Sequence, residues 1–287
     1  MAFNFQTFRT RAITAIVFVL VMLTGLLWNQ WSFLVLFSVI HFGCWIEYQK
    51  LVGLIDNDYR QINPVHQYGI ILAGWGYMLW MTDDSYRLGD LAVNATGWWI
   101  FSISFIAFVV SEFLLSKKMS PRLWAYSFIG FLYISISWGL MMRLYTNLDQ
   151  TVFTGDNRLL PVLLIASIWI NDTMAYLVGS FIGKTPLSPI SPKKTWEGTI
   201  GGALLAVVIV VLVGSYSFHF GMKPLLLISL TAAIAGTLGD LLESKLKRMA
   251  GVKDSGRIMP GHGGFLDRFD SMLLATTVLW VVLYFFY

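Results

Sequence analysis

Residues 239–270 read GDLLESKLKRMAGVKDSGRIMPGHGGFLDRFD, and the contrast between this stretch and its surroundings decides the fold. It gathers five carboxylates, six Lys or Arg and six glycines in a chain that is only 13% charged. The runs on either side, 225–238 and 265–287, are apolar enough to lie in a bilayer. The charges therefore sit at or just inside a membrane surface, where charge is expensive and is usually kept for function.

Outward from this stretch, the 287 residues are 56% hydrophobic and 16% aromatic. They break into repeated apolar runs of about 17 to 23 residues, the length that crosses roughly 30 Å of hydrocarbon. The expected fold class is all-α, a polytopic integral membrane helical bundle with nine transmembrane helices over 12–28, 31–47, 64–81, 98–115, 122–141, 160–182, 198–218, 224–243 and 265–287. No soluble domain of ordinary size fits between them. Arg9 and Arg11 ahead of the first run imitate a signal peptide, but no small-residue cleavage site precedes the second run, so the first reads as a retained span. A single cysteine, Cys44, excludes an internal disulfide. With nine crossings, 16 of the 20 Lys and Arg fall on the side of the N-terminus and 4 on the other. The excess of basic residues marks the cytoplasmic face, which places the N-terminus in the cytoplasm.

The chain divides in character near its middle. Residues 1–150, spans one to five, are aromatic and chemically quiet. Glu47 ends span two and Glu112 lies near the cytoplasmic end of span four, positions where a partly hydrated carboxylate is tolerable as a structural group. His41 and His66 read as packed or interfacial rather than ligating, and Asp83, Asp84 and Asp90 as solvated turn residues. Residues 151–287, spans six to nine, are expected to form the catalytic region. Asn171 and Asp172 sit about ten residues, roughly 15 Å of helix, inside span six. A carboxylate at that depth needs a wet cavity, a cation or a basic partner, or else forms an interhelical hydrogen bond.

Next comes GKTPLSPISPKKTWEGTIGG, 183–202, whose Pro186, Pro189 and Pro192 keep it non-helical. Lys193 and Lys194 are either topology determinants or, with Thr195 capping the helix that begins near Trp196 and Glu197, two cations aimed at a phosphate. Gly236, Asp240, Glu243 and Lys247 recur at three- or four-residue spacing and so share one face of span eight. Asp267 and Asp270 likewise share the first turns of span nine, with Arg268 beside them. Carboxylates there complement the helix dipole, or with Asp240 hold a divalent ion of the Mg2+ type, which takes carboxylates, waters and phosphate oxygens. Between these helices lie Lys253 and the segment PGHGG, containing His262, Gly263 and Gly264, whose backbone N–H groups can converge on an anion.

The segment 244–270 resembles the signature of the phosphatidate cytidylyltransferases, the CDP-diacylglycerol synthases. NDTMAYLVG from Asn171 and SPKKTWEG from Ser191 are similar to that family's two upstream motifs, in the same order and spacing. The resemblance covers roughly residues 160–287. It implies cytidylyl transfer from CTP to phosphatidate in phospholipid biosynthesis, with Mg2+ and a second cation such as K+ as cofactors. It also implies a bacterial inner-membrane enzyme, a homodimer among membrane lipids, with its active site facing the cytoplasm and no nucleic-acid partner. Asp240 and Asp267, with Asp270, are the implied metal ligands, and Lys194 and Asp172 join Asp240 and Asp267 as implied catalytic residues. Substrate binding is implied for Asn171, Ser191, Lys193, Lys194, Thr195, Glu197, Lys247, Arg248, Lys253, His262, Gly263, Gly264 and Arg268. Two alternatives stand beside this reading. One is a cytidylyltransferase acting on another lipid phosphate. The other is a secondary transporter using Asp172, Asp240 and Glu243 as an ion path, against which stand the lack of an internal repeat and the concentration of charge on one membrane face.

Overall fold

The computed structural model describes residues 5–115, 120–146, 158–218, 220–258 and 263–286. A helix lies over each of the nine apolar runs. The first four are α1 (Phe5–Leu27), α2 (Gln30–Ile55), α3 (Pro64–Trp80) and α4 (Val93–Leu115). The fifth run is one continuous rod made of α5 (Pro121–Gly130), a π-helical turn (Phe131–Ser135) and α6 (Ile136–Thr146). Then follow α7 (Leu159–Ile182), α8 (Trp196–Phe218), α9 (Met222–Met249) and α10 (Leu266–Phe286). Two short antiparallel hairpins interrupt them: β1 (Arg87–Leu88) with β2 (Leu91–Ala92), and β3 (Pro186–Ser188) with β4 (Ser191–Thr195).

Among the described residues, seven of these helical segments are long and apolar enough to cross a membrane: α2, α4, the α5–α6 rod and α7 to α10. The chain is a polytopic helical membrane protein. The apolar part of α1, Ala12–Leu27, is shorter, and α3 has 17 residues. At 1.5 Å per residue α3 spans about 26 Å, a few ångströms less than an average hydrocarbon layer. The 28 residues of α9 exceed that layer. At about 42 Å, it is long enough for its polar last two turns to extend beyond the hydrocarbon.

Helix starts follow local chemistry. Asn29 caps α2 by accepting from the Ser32 N–H at 2.9 Å, and the Ser32 hydroxyl returns the bond by accepting from the Asn29 N–H at 3.1 Å. Asn63 caps α3 by accepting from the His66 N–H at 2.8 Å, with Pro64 in the first turn where its missing N–H costs nothing. Asp83 accepts from both the backbone and the hydroxyl of Ser85, at 3.0 and 2.6 Å, the turn role expected of it.

The chain forms two compact units, Met1–Ile136 with Met249–Phe269, and Ser137–Arg248 with Asp270–Tyr287. The first has an aromatic core in which Phe33, Phe37, Trp45 and Tyr86 are fully buried. In its π-helical turn, Ser135 turns its hydroxyl toward α2. There it accepts from Trp45 Nε1 at 2.9 Å and meets His41 Nε2 at 3.2 Å. His66 and Glu112 are also packed, in a buried relay. Glu112 holds the hydrogen on His66 Nδ1, so His66 Nε2 accepts from the Ser127 hydroxyl at 2.8 Å. The Tyr59 hydroxyl in turn donates to Ser127 at 2.9 Å. Burial pushes the Tyr59 hydroxyl up to about 12, which keeps it a donor.

Replacing Glu112 by Ala orphans His66 Nδ1 in this buried relay. The expected cost is about 1–3 kcal/mol of stability, read as a lower unfolding midpoint in detergent, with Glu112→Gln losing less because its carbonyl still accepts.

In the second unit, Trp138, Leu164, Ile228, Ala232, Leu273 and Leu279 lie in the core. Against α7, α8 presents Gly202, where an added Cβ would stand 2.5 Å from the Ala175 backbone nitrogen. Small residues that let backbones approach are how helices associate where lipid is as apolar as the side chains.

Candidate functional site

In the second unit, three carboxylates converge. Asp240 and Glu243 stand one turn apart on α9, and Asp270 lies on the second turn of α10. One oxygen from each lies within 4.8 Å of the others. Glycine makes the approach possible: a Cβ at Gly239 would stand 2.6 Å from the Asp270 carbonyl oxygen. Glu243 is 0% exposed, Asp270 is 8% exposed, and Asp240 is partly open. Three like charges this close repel strongly, since a unit-charge pair near 4 Å is worth about 4 kcal/mol at an effective dielectric constant of 20.

Two lysines offset part of that repulsion. Lys194, from the end of β4, is ion-paired with Asp240. Lys247, one turn beyond Glu243, brings its Nζ to 2.5 Å from Glu243 Oε2. Asp270 Oδ1 also accepts from the Ser271 N–H at 2.6 Å. Farther along α7, Asp172 shares a hydrogen bond with the Asn171 side chain and lies within electrostatic reach of Lys194 and Asp240. The all-oxygen, anionic donor set fits a hard divalent cation of the Mg2+ or Ca2+ kind.

The segment before α8 is built to present Lys194. Pro186 and Pro192 keep it extended, and it closes as the β3–β4 hairpin, with Pro186 opposite Thr195 and Ser188 opposite Ser191. The Thr195 hydroxyl accepts from the Gly198 N–H at 3.2 Å, the helix cap expected of it. Glu197 accepts from Lys184 N at 3.1 Å, from Thr185 N at 3.1 Å and from the Thr185 hydroxyl at 2.8 Å. Its carboxylate thus ties the start of the hairpin to the helix that follows. Lys193 and Arg248 are exposed, and Ser191 is half-buried.

Asp267 belongs to the first unit, where Ser255 and Gly264 close on it. Its Oδ2 accepts from Ser255 N, the Ser255 hydroxyl and Gly264 N, each at 2.8 Å. The backbone N–H of Gly264, expected to bind an external anion, is therefore committed to the chain's own carboxylate. Gly263 has φ +86, a conformation side chains rarely adopt, and a Cβ there would stand 2.5 Å from Asp267 Oδ2. Lys253 and Arg268 are exposed. His262 lies outside the described residues.

Two acids in these clusters carry no role in the sequence-based reading of the enzyme. Helical spacing sets Glu243 on the face of Asp240, and that i+3 spacing is the signal that it can join the metal ligands. Sequence alone makes Glu47 a tolerated structural acid. Its partners are Ser255 and Leu266, 208 and 219 residues away, and no local pattern announces such a pairing.

The profile of the Cytidylyltransferase family matches residues 9–286. A phosphatidate cytidylyltransferase of Staphylococcus haemolyticus (strain JCSC1435) is 36% identical over 197 residues, 66% of this chain and 73% of that protein. Proteins of the same name from Staphylococcus epidermidis (strain ATCC 35984 / DSM 28319 / BCRC 17069 / CCUG 31568 / BM 3577 / RP62A) and Staphylococcus aureus (strain COL) are similar too. The first is 39% identical over 187 residues and the second 42% over 188, each alignment covering 64% of this chain and 68% of the relative.

Proposed function

This chain belongs to the cytidylyltransferase family, and from that premise we propose that it transfers a cytidylyl group from CTP to phosphatidate, giving CDP-diacylglycerol and pyrophosphate. The observation that carries this reading is the meeting of Asp240, Glu243 and Asp270 beside Lys194 and Lys247 in a chain that matches the family over residues 9–286. A phosphate oxygen of phosphatidate forms the new bond to the α-phosphorus of CTP. The bond from that phosphorus to the α–β bridging oxygen breaks, and the electron pair leaves with pyrophosphate.

The attacking group is a phosphate monoester whose second pKa is about 6, so it is largely ionised near neutral pH. No serine, cysteine or histidine nucleophile and no general base is required of the protein. Its task is to bring anions together. Lys194 and Lys247 carry charge to the carboxylate cluster, and Lys193, Arg248, Lys253 and Arg268 are further cations suited to phosphates. Asn171 and Asp172 on α7 belong to the same proposed set. Ser191, Thr195 and Glu197 hold the hairpin that presents Lys194, and Gly263 and Gly264 shape the turn around Asp267.

Asp240, Glu243 and Asp270 would hold Mg2+. The inclusion of Asp267 in the metal set, and of a second cation such as K+, rests on the motif resemblance. A bound divalent cation would neutralise phosphate charge and steady the departing pyrophosphate. Nine crossings with a cytoplasmic N-terminus put the charged segments at the cytoplasmic face of the cell membrane. CTP arrives there from water, and phosphatidate from the inner leaflet. A homodimer is part of the same reading.

The experiment is an assay of purified protein with labelled CTP, offered phosphatidate, polyprenyl phosphate or no lipid, with and without Mg2+. Labelled CDP-diacylglycerol is expected only with phosphatidate and Mg2+. Preferential labelling of polyprenyl phosphate would move the chain to another lipid substrate, and no labelled lipid at all would overturn the reading.

A further inference from the structure

Glu47 lies within α2, far in sequence from the signature segment, and is only 4% exposed. A buried carboxylate is costly unless its oxygens find donors. Glu47 Oε2 finds two: the Ser255 hydroxyl at 2.7 Å and the Leu266 N–H at 2.9 Å. Leu266 opens α10, whose first N–H groups have no partner within the helix. The residue before it, Phe265, has no side-chain acceptor, so α10 cannot cap itself from that position. Glu47 supplies an acceptor from another helix, and a negative charge at a helix N-terminus is favourable.

The packing is equally close. A Cβ on Gly256 or Gly264 would collide with the Glu47 carboxylate, and one on Gly43, a turn earlier in α2, would collide with the Phe265 ring. One face of α2 is thus fitted to the signature segment. The Ser255 hydroxyl also stands 2.8 Å from Asp267 Oδ2 and accepts from Asp267 N at 3.3 Å. With one hydrogen it donates to one carboxylate at a time, so Glu47 and Asp267 are linked through a single oxygen.

We propose that Glu47 is a positioning residue for the cytidylyl-transfer site: it anchors Ser255 and the start of α10, and through them fixes the carboxylate of Asp267. The proposal rests on the reading of function given above, in which Asp267 takes part in the reaction. Outer partners that orient a metal-binding carboxylate typically change metal affinity or activity by about 10–100-fold when removed.

The test compares Glu47→Ala, Glu47→Gln and Ser255→Ala with the unaltered chain, each purified whole in lipid-containing detergent. The readouts are kcat, KM for CTP, the Mg2+ concentration for half-activity, and amide hydrogen exchange of residues 255–266. For Glu47→Ala, the expected result is about a tenfold or larger fall in kcat or rise in required Mg2+. KM for CTP should move less than about threefold, and exchange at Ser255, Gly264 and Leu266 should quicken. Glu47→Gln should recover part of the loss, because its carbonyl still accepts from Leu266. A folded Glu47→Ala protein with unaltered Mg2+ requirement and unaltered exchange overturns the proposal. If that variant does not fold, Ser255→Ala decides: it removes the shared hydroxyl and leaves α2 intact, and an unchanged Mg2+ requirement with unchanged exchange at Gly264 overturns the proposal. If the unaltered chain makes no CDP-lipid, the reading of function fails by itself, and the anchoring stands or falls on the exchange data.

Discussion

Replacing Asp240 by Asn is expected to abolish CTP-dependent CDP-lipid formation while leaving the protein folded. The amide has nearly the shape of the carboxylate, so α9 and its packing against the Asp270 and Ser271 backbone are kept. What changes is charge. Lys194 loses its ionic partner, and the cluster with Glu243 and Asp270 falls from three carboxylates to two. One charge placed near 4 Å from its counterpart is worth about 4 kcal/mol at an effective dielectric constant of 20. If that attraction is needed when two phosphate anions meet, its loss slows the reaction by about three powers of ten. Turnover should therefore fall at least about a thousandfold, with the unfolding midpoint and gel-filtration profile nearly unchanged. Wild-type turnover in the folded variant would remove Asp240 from the site.

Asp267→Ala is expected to lose activity and stability together, for separable reasons. The aspartate accepts from Ser255 N and Gly264 N and shares the Ser255 hydroxyl with Glu47, so truncation strands the two backbone donors in a turn that Gly263 holds at positive φ. An unmade hydrogen bond to a buried group costs about 1–3 kcal/mol; Asp267 is only half-buried and water replaces part of what is lost, so a total on the order of 2 kcal/mol is expected. Asp267→Asn keeps one side-chain oxygen as an acceptor and should restore most of the stability without restoring turnover. A fully active Asp267→Asn protein would confine this residue to holding the turn.

Much of the fold was legible because bilayer thickness sets a narrow range of lengths for an apolar helix that crosses it. All nine apolar runs carry a helix, and Thr195 caps α8 as its place before Trp196 suggested. The errors lie where the bilayer does not dictate length: α2 continues to Ile55 and α9 to Met249, beyond the expected ends at 47 and 243. The π-helical turn at Phe131–Ser135 has no sequence signature, and proline spacing marked 183–202 as non-helical without revealing the β3–β4 hairpin. In the candidate site, helical spacing found Asp240 with Glu243, and the lysine pair before α8 pointed to Lys194. That spacing works because it is local. Glu47 shows the limit: its donors are brought to it by tertiary packing, and neither α2 nor the signature segment alone carries any trace of the other.

The union of Glu47 with Ser255 also sets an order on biogenesis. The two residues lie 208 positions apart, and at about 5–20 residues per second the ribosome needs roughly 10–40 s to make the intervening chain. During that interval the early helix carries an acid whose eventual donors have not yet been translated. The newborn protein therefore cannot complete this junction until the chain through Leu266 has been delivered, and until then the carboxylate depends on water for its hydrogen bonds.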